Sequence, residues 1–323
     1  MTWIIGCDEA GYGPPLGPFT QASVAIQALT LSAFPFDMWH AFPTIFKKRK
    51  DSGKFLPGHL PLLVDDSKLI NQLINKNIHL AAPWSCLFIP PDQSPKKLID
   101  FLSLINLSGF ETLKLDPTYD ANYVCTWWIE KKLRILAHTA CLQSGLFDCR
   151  ARVSMMTPHV FNQEIEQTNN KSLVLEKGWK SHLEWWLDEI TGQDPLFFFS
   201  DKLGGRTHYA SLFQEAVGQR GLVQILQESS TACLYRVLGA GREITLVVQP
   251  KADSFYFPTS LASMLAKHAR EWGMDLVNRF WAKYIPNLRP TAGYPVDGKR
   301  FMEQIEIHLL DLEIPRIKVW RNR

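Results

Sequence analysis

The sequence lacks the cysteine and histidine patterns of zinc sites and disulfide-stabilised domains. Its six cysteines form no C-x-x-C pair, and no spacing of cysteine or histidine matches a zinc site. The first residues show no charged segment followed by an apolar one, so no secretory signal is predicted. These absences favour reduced thiols in a cytoplasm-like compartment.

Long apolar runs and a strong charge imbalance are also missing. No apolar run reaches the roughly 18 residues that a membrane-spanning helix needs, so a membrane role is not expected. With 35 basic and 32 acidic residues, the net charge of +3 is too small to indicate nucleic-acid binding through bulk electrostatics. No heptad repeat is present, so no obligate protein partner is implied. The 323 residues, 46% of them hydrophobic, suffice for a full globular core.

One stretch near the start joins a strand pattern to an acidic turn. Apolar residues run up to Cys7, then Asp8 and Glu9 follow, and a turn rich in glycine and proline comes next. A second apolar run predicts a hairpin over residues 3–29. A carboxylate on a central strand is costly to bury, and a divalent cation held by Asp8 and Glu9 would compensate for that cost. An ordinary solvated turn is the alternative that this stretch leaves open.

The rest of the chain alternates helix and strand patterns. Helices are predicted at about 122–142, from 158, and at about 172–190, 206–227, 260–278 and 298–312; strands are predicted at about 150–155, 195–200 and 243–249. An Asp-Ser pair at Asp66 predicts a further helix start. The segment 31–62 is aromatic and basic without a clear period, and most of 71–150 is an unassigned insert.

Two later strand patterns also end in a carboxylate. Asp201 follows the strand at 195–200, and Asp253 follows the strand at 243–249. Side chains at the carboxyl ends of neighbouring strands meet in an open α/β sheet, and ligation by acids alone suits Mg²⁺ or Mn²⁺. The chemistry that most needs such a cluster is phosphodiester hydrolysis with two metal ions about 4 Å apart.

Six blocks of the sequence resemble the type 2 ribonucleases H, the family of ribonuclease HII, and occur in that family's order. The opening Gly6-Cys7-Asp8-Glu9-Ala10-Gly11-Tyr12-Gly13 resembles a motif in which Asp-Glu-Ala precedes Gly-Arg-Gly. The most specific match is Lys251-Ala252-Asp253-Ser254 with the following Ala262-Ser263-Met264-Leu265-Ala266-Lys267. The other blocks begin at Asp66, Glu164, Asp201 and Gly293. Together the blocks span residues 4–30, 63–70 and about 152–300.

The resemblance implies a fold, an activity and a set of site residues. The fold is an α/β ribonuclease H-like mixed sheet with flanking helices, in a single domain over 1–323 with the insert at about 71–150 and a helical and basic end at about 296–323. The activity is hydrolysis of the RNA strand of RNA–DNA hybrids with Mg²⁺ or Mn²⁺, leaving 3′-hydroxyl ends. The implied metal ligands and catalytic residues are Asp8, Glu9, Asp201 and Asp253; the implied nucleic-acid contacts are Gly11, Tyr12, Gly13, Lys68, Arg206 and Tyr294.

The sequence departs from the family at Tyr12, which stands where the family carries arginine. A tyrosine hydroxyl cannot make the bidentate contacts of a guanidinium, so RNA–DNA hybrids and DNA containing a ribonucleotide both stay open as substrates. A non-catalytic or structure-selective nucleic-acid-binding protein on the same scaffold is the alternative function. Lys267 and His268 are candidates for assisting proton transfer, although a place on the helix surface or in a helix cap is the plainer interpretation.

Overall fold

A computed structural model of the chain describes residues 1–29, 37–51, 59–73, 76–90, 92–93, 100, 105, 113, 116–119 and 130–322. The strands are β1 Thr2–Ala10, β2 Phe19–Ala28, β3 Phe46–Lys47, β4 Leu62–Leu63, β5 Leu146–Met156, β6 Leu196–Ser200, β7 Leu222–Glu228, β8 Cys233–Leu238 and β9 Ile244–Val248. The helices are α1 Met38–Ala41, α2 Ser67–Ile70, α3 Lys76–Phe88, α4 Lys131–Gln143, α5 Pro158–Thr168, α6 Lys171–Glu189, α7 Ala210–Val217, α8 Ala252–Phe255, α9 Phe257–Ala282 and α10 Pro295–Asp311.

Seven of the strands form one mixed sheet in the order β5-β2-β1-β6-β9-β8-β7. The predicted hairpin is present, because β1 and β2 pair antiparallel, and β1, β6 and β9 run parallel through the centre. Strands β8 and β7 return antiparallel on one side. The predicted mixed sheet with flanking helices is therefore confirmed.

The two faces of the sheet are covered by different helices. On one face, Val24 and Ile26 of β2 share a core with Leu261 and Leu265 of α9. On the other face, residues of β1 such as Ile5 pack with the tryptophans of α6. Because side chains alternate along a strand, β1 contributes to both cores.

Helix α9 crosses β1 at Gly6. A Cβ atom on Gly6 would lie 2.1 Å from the backbone nitrogen of Thr259 and 2.2 Å from the carbonyl carbon of Pro258. Glycine is therefore required at this position, because only its bare backbone allows the helix to approach so closely.

The helix predicted at 206–227 is wrong over its second half. The chain forms the short helix α7 and then the edge strand β7, which pairs antiparallel with β8. Leu222, Ile225 and Leu226 have the i, i+3, i+4 spacing of a helical face, yet all three are exposed on the edge strand. Gly218, with a φ of 59°, follows the last residue of α7 and ends the helix.

The other predicted helices and strands agree with the described residues. Helix α4 covers the second part of the helix predicted at 122–142, whose first part lies outside the described residues, as do parts of the segment 31–62. The insert at 71–150 includes α3 and α4. In the described part of the chain, no helix is long and apolar enough to cross a membrane. The five cysteines described there are free thiols.

Candidate active site

The register of the central strands brings the predicted acids to one edge of the sheet. Cys7 pairs with Ser200 across β1 and β6, so Asp8 and Asp201 come next on adjacent parallel strands. Ser200 pairs with Val248 across β6 and β9, and the chain then turns into α8, which carries Asp253.

Asp201 is held by two backbone amides. Its Oδ1 accepts hydrogen bonds from the amides of Lys202 at 2.7 Å and of Lys251 at 3.0 Å. The second bond comes from the loop after β9, only two residues before Asp253. The Asp201 carboxylate is therefore tied to the loop that leads from β9 to Asp253.

Asp8 and Glu9 leave the same strand toward opposite faces. Strand β1 continues without a bulge, with Asp8 opposite Ala22 and Glu9 opposite Gln21. On the face covered by α9, the Ser263 hydroxyl donates to Ser67 Oγ at 3.0 Å, and its proximity lowers the pKa of Asp8 without offsetting the larger effect of burial. The Glu9 amide donates to Asp8 Oδ1 at 2.9 Å. Asp8 is thus oriented by the backbone of its own strand.

Burial raises the pKa values of all four acids, and the charges of neighbouring acids raise those of Asp8, Glu9 and Asp253 further. Burial first, and then the charges of Glu9 and Asp253, raise the pKa of Asp8 well above its usual range. Burial and the charge of Asp201 raise the pKa of Glu9 to about 7. Burial also raises the pKa of Asp201. The four carboxylates therefore form one electrostatic group that resists full ionisation without a compensating cation.

Lys68 and Asp66 join this group from α2. The Asp66 side chain caps the helix by accepting the Lys68 amide at 2.7 Å. The Lys68 charge lowers the pKa of Glu9, Asp201 and Asp253. The charge of Asp66 is the largest effect after burial in raising the pKa of Asp253 to about 6. Sequence reasoning assigned Asp66 only as a helix cap; its place in the Asp-Ser-Lys block is the signal that would have included it.

The donor set of this cluster fits a hard divalent cation. All of the donors are carboxylate oxygens, which Mg²⁺ and Mn²⁺ prefer. Their raised pKa values indicate that the positive charges nearby do not offset their negative charge. Among the residues that the structure describes, no three acid, histidine or cysteine side chains stand close enough to hold a metal ion as they are. The chemistry of the donors, rather than a preformed cage, supports a cation here.

Residues 11–15 form a turn, the Gly11–Pro15 turn, that starts immediately after β1. Gly11 has a φ of 81°, and a Cβ atom there would lie 2.4 Å from Arg270 Nε. Arg321 Nη2 donates to the carbonyl of Gly11 at 2.5 Å and to that of Pro14. Two buried guanidinium groups therefore support the turn from behind.

Tyr12 and Tyr294 lie at the surface around this turn. The Tyr12 ring packs edge-on against Phe19, and the Lys171 ammonium lies 4.6 Å from the Tyr12 ring centre. Tyr294 is 51% exposed, and the Arg270 guanidinium lies 5.7 Å from its ring centre. Since Arg270 contacts both the turn and Tyr294, the structure brings these two predicted nucleic-acid contacts to one region.

Three other predicted residues have partners outside the acid cluster. Arg206 donates to both carboxylate oxygens of Glu176, at 3.0 and 2.6 Å. Lys267 pairs with Glu271 at 2.8 Å. His268 is buried between the indoles of Trp84 and Trp272, and burial lowers its pKa to about 3. His268 is thus a core residue and is not placed to transfer a proton among the acids.

Solved structures similar to this chain are ribonucleases H. The ribonuclease H2 of Pyrococcus horikoshii OT3 is 17% identical, with a TM-score of 0.46 over 98% of this chain and 92% of that one. The RNase HII of Archaeoglobus fulgidus, solved in a complex with PCNA, is 15% identical, with a TM-score of 0.40 over 99% and 94%. Bst-RNase HIII, solved with Mn²⁺, is 12% identical, with a TM-score of 0.45 over 99% and 66%. No protein-family model and no curated protein matches the sequence. The function of the chain is therefore inferred from its own site.

Proposed function

We propose that the chain is a metal-dependent endonuclease of the ribonuclease H type, which hydrolyses the RNA strand of RNA–DNA hybrids and leaves 3′-hydroxyl ends. The observation that carries this proposal is the position of Asp8, Glu9, Asp201 and Asp253 at one edge of the sheet, where burial raises all four pKa values and neighbouring acid charges raise three of them further. Such a cluster is unfavourable unless cations offset its charge, and phosphodiester hydrolysis uses those cations.

The residues of this chain prepare the site for Mg²⁺ or Mn²⁺. When bound, the metal activates water and neutralises charge on the leaving oxygen. The hydrogen bond from the Glu9 amide orients Asp8, and the amides of Lys202 and Lys251 orient Asp201. These bonds hold the carboxylates in place before substrate arrives, which lowers the cost of organising the site.

The region around the Gly11–Pro15 turn is the proposed nucleic-acid surface. Gly11, Tyr12 and Gly13 follow the acids of β1 directly, and Tyr294 lies beside them. Lys68 adds a positive charge next to the carboxylates. Arg206 is a proposed phosphate contact that must exchange its Glu176 partner for the phosphate. We place this activity in the cytoplasm and assign it to a single domain.

Cleavage of labelled duplexes tests this function. An RNA–DNA hybrid, a DNA duplex with one ribonucleotide, and plain DNA are incubated with Mg²⁺ or Mn²⁺ and the wild-type chain, Asp8→Asn or the exposed-acid control Asp275→Asn. We expect cleavage of the hybrid by the wild type and the control, and at least about a hundredfold loss in Asp8→Asn. Binding without cleavage in every lane would instead support the non-catalytic alternative. Cleavage of plain DNA alone would support a structure-selective nuclease.

A further inference from the structure

A pocket of about 470 Å³ lies against the Gly11–Pro15 turn. Its wall includes Gly13 and Pro14 of the turn, Lys171 at the start of α6, Lys299 of α10, and Trp320 and Arg321 near the carboxyl end. Four separate segments of the chain build it. The pocket therefore exists only in the folded chain, and it begins four residues after the last acid of β1.

The pocket is cationic. Its described lining holds Lys171, Lys299 and Arg321 and no carboxylate. The Arg321 side chain is 2% exposed; its Nη2 bonds the carbonyls of the turn, but its Nε and Nη1 atoms are buried without a hydrogen-bond partner among the described residues. The Nε and Nη1 atoms of buried Arg270, behind the same turn, are also without one. Buried guanidinium N–H groups without a hydrogen-bond partner are costly, so an anion bound nearby would stabilise these Nε and Nη1 atoms.

Lys171 supplies a cation close to the position where the ribonuclease H family carries arginine. Its ammonium lies 4.6 Å from the ring centre of Tyr12 and 5.9 Å from that of Phe161. Cations are attracted to the faces of aromatic rings, so the Tyr12 ring serves as a platform that places the ammonium beside the turn. Lys171 is also the first residue of the 19-residue helix α6, whose amino end favours negative charge.

We propose that this pocket binds one backbone phosphate of the nucleic acid, and that Lys171, held over Tyr12, makes the cationic contact that the Gly11–Pro15 turn lacks. The identity of the polymer rests on the function proposed above. Trp320 and Pro295 give the same pocket an apolar wall, against which a sugar ring packs. Tyr12 is then a positioning residue for the lysine, and Lys171 is the residue that contacts the phosphate.

The test removes one charge from the protein and one from the nucleic acid. Binding of fluorescent RNA–DNA hybrids is measured in Ca²⁺ over a range of salt concentrations, with hybrids that carry a single neutral methylphosphonate at each successive backbone position. The variants are Lys171→Met and, as a matched control, Lys180→Met on the same helix, whose ammonium pairs with Glu215. Inorganic phosphate is added in a separate competition arm.

We expect Lys171→Met to weaken binding about tenfold and to lower the slope of log affinity against log salt by about 1. One methylphosphonate position should weaken the wild type and Lys180→Met and leave Lys171→Met unchanged. Equal affinity and equal methylphosphonate sensitivity in the wild type and Lys171→Met would contradict phosphate binding in this pocket, even if the hybrid is cleaved. Competition by inorganic phosphate without any methylphosphonate effect would assign the pocket to free phosphate and overturn the backbone contact.

The same variants separate the pocket from the proposed catalysis. In Mg²⁺ we expect Lys171→Met to raise KM with little change in kcat, because the lysine lies outside the acid cluster. A Lys171-dependent methylphosphonate effect in a wild-type chain that cuts nothing would support the pocket and contradict the endonuclease. No binding of any nucleic acid by the wild type would contradict both proposals.

Discussion

The backbone amide of Lys251 donates a hydrogen bond to Oδ1 of Asp201 across 3.0 Å, and so ties the loop after β9 to the end of β6. Lys251 itself has a φ of 60°, in the left-handed region. Because Asp253 follows two residues later, this one bond sets the position of one catalytic candidate from the backbone of another strand.

Two substitutions at Lys251 test this link. Proline has no amide hydrogen and cannot adopt a positive φ, so Lys251→Pro should lower cleavage at least about a hundredfold. Lys251→Gly keeps the amide and favours the observed φ, so its activity should stay within about threefold of wild type. Circular dichroism establishes whether both variants are folded. Equal activity of the two variants would show that the amide of Lys251 does not organise the site.

The stability of the metal-free chain should depend on pH in an unusual direction. Folding raises the pKa of Glu9 from 4.5 to about 7 and that of Asp253 from 3.8 to about 6. The folded state therefore holds protons that the unfolded state has released, so these groups lower stability progressively as the pH rises through the window between each pair of values. We expect the Tm in EDTA to fall between pH 5 and 8, and Mg²⁺ or Mn²⁺ to raise the Tm more at pH 8 than at pH 5.

Neutralising Glu9 should raise the stability of the metal-free chain and lower its activity. Glu9→Gln removes a charge that repels Asp8 and Asp201, so above pH 7 its Tm in EDTA should exceed that of the wild type. Cleavage should fall at least about a hundredfold, because the site loses a proposed metal ligand. Calorimetry and the duplex assay measure the two effects. A lower Tm in Glu9→Gln would mean that the carboxylate stabilises the fold.

The close approach of α9 to β1 gives a prediction with an internal control. Gly6→Ala places a methyl group 2.1 Å from the Thr259 nitrogen, so the helix must shift, and we expect a loss of about 1–3 kcal/mol in the free energy of unfolding. A Cβ atom on Gly205 meets nothing within 4 Å, so Gly205→Ala should change stability by less than about 0.5 kcal/mol. Urea denaturation measures both. Equal stabilities would contradict the tight crossing.

The roles of Tyr12 and Lys171 should be linked. Tyr12→Phe keeps the ring under the ammonium and should bind hybrids nearly as wild type, whereas Tyr12→Ala removes the platform and should weaken binding about as much as Lys171→Met. The double variant Tyr12→Ala with Lys171→Met should be little worse than either single variant, because both changes remove one contact. Additive losses in the binding assay would mean that the two residues act independently.

The sequence predicts the central strands and long helices because the apolar residues that form their patterns are the ones buried in the core. Strand β9 and helix α9 bury nearly all of their apolar side chains, so pattern and structure coincide. The sequence predicts a helix instead of strand β7 because Leu222, Ile225 and Leu226 have the spacing of a helical face, although all three are exposed. The hydrophobic period of a sequence reveals which side chains are buried, so it does not identify an edge strand whose apolar side chains are exposed.

The sequence predicts that the acids lie near one another, because Asp8 and Glu9 lie near the end of β1, Asp201 follows β6 and Asp253 comes shortly after β9, and these parallel strands end at one edge of the sheet. The side chains that support the Gly11–Pro15 turn could not be predicted from the sequence. Arg270 and Arg321 reach it from α9 and from residues beyond α10, and no local pattern connects those positions to the turn. The pairing of Lys171 with Tyr12 is likewise a product of tertiary packing between helix α6 and the turn.

The bond between Arg321 and Gly11 joins positions 310 residues apart, and this has a consequence during synthesis. By the time a ribosome has added Asp253, the nascent chain holds every acid of the cluster, but the carbonyls of Gly11 and Pro14 still have no guanidinium to bind. The turn is fastened only when residue 321 has emerged and folded back. The hydrogen bonds from Arg321 to the turn therefore form only after all four acids have been synthesised.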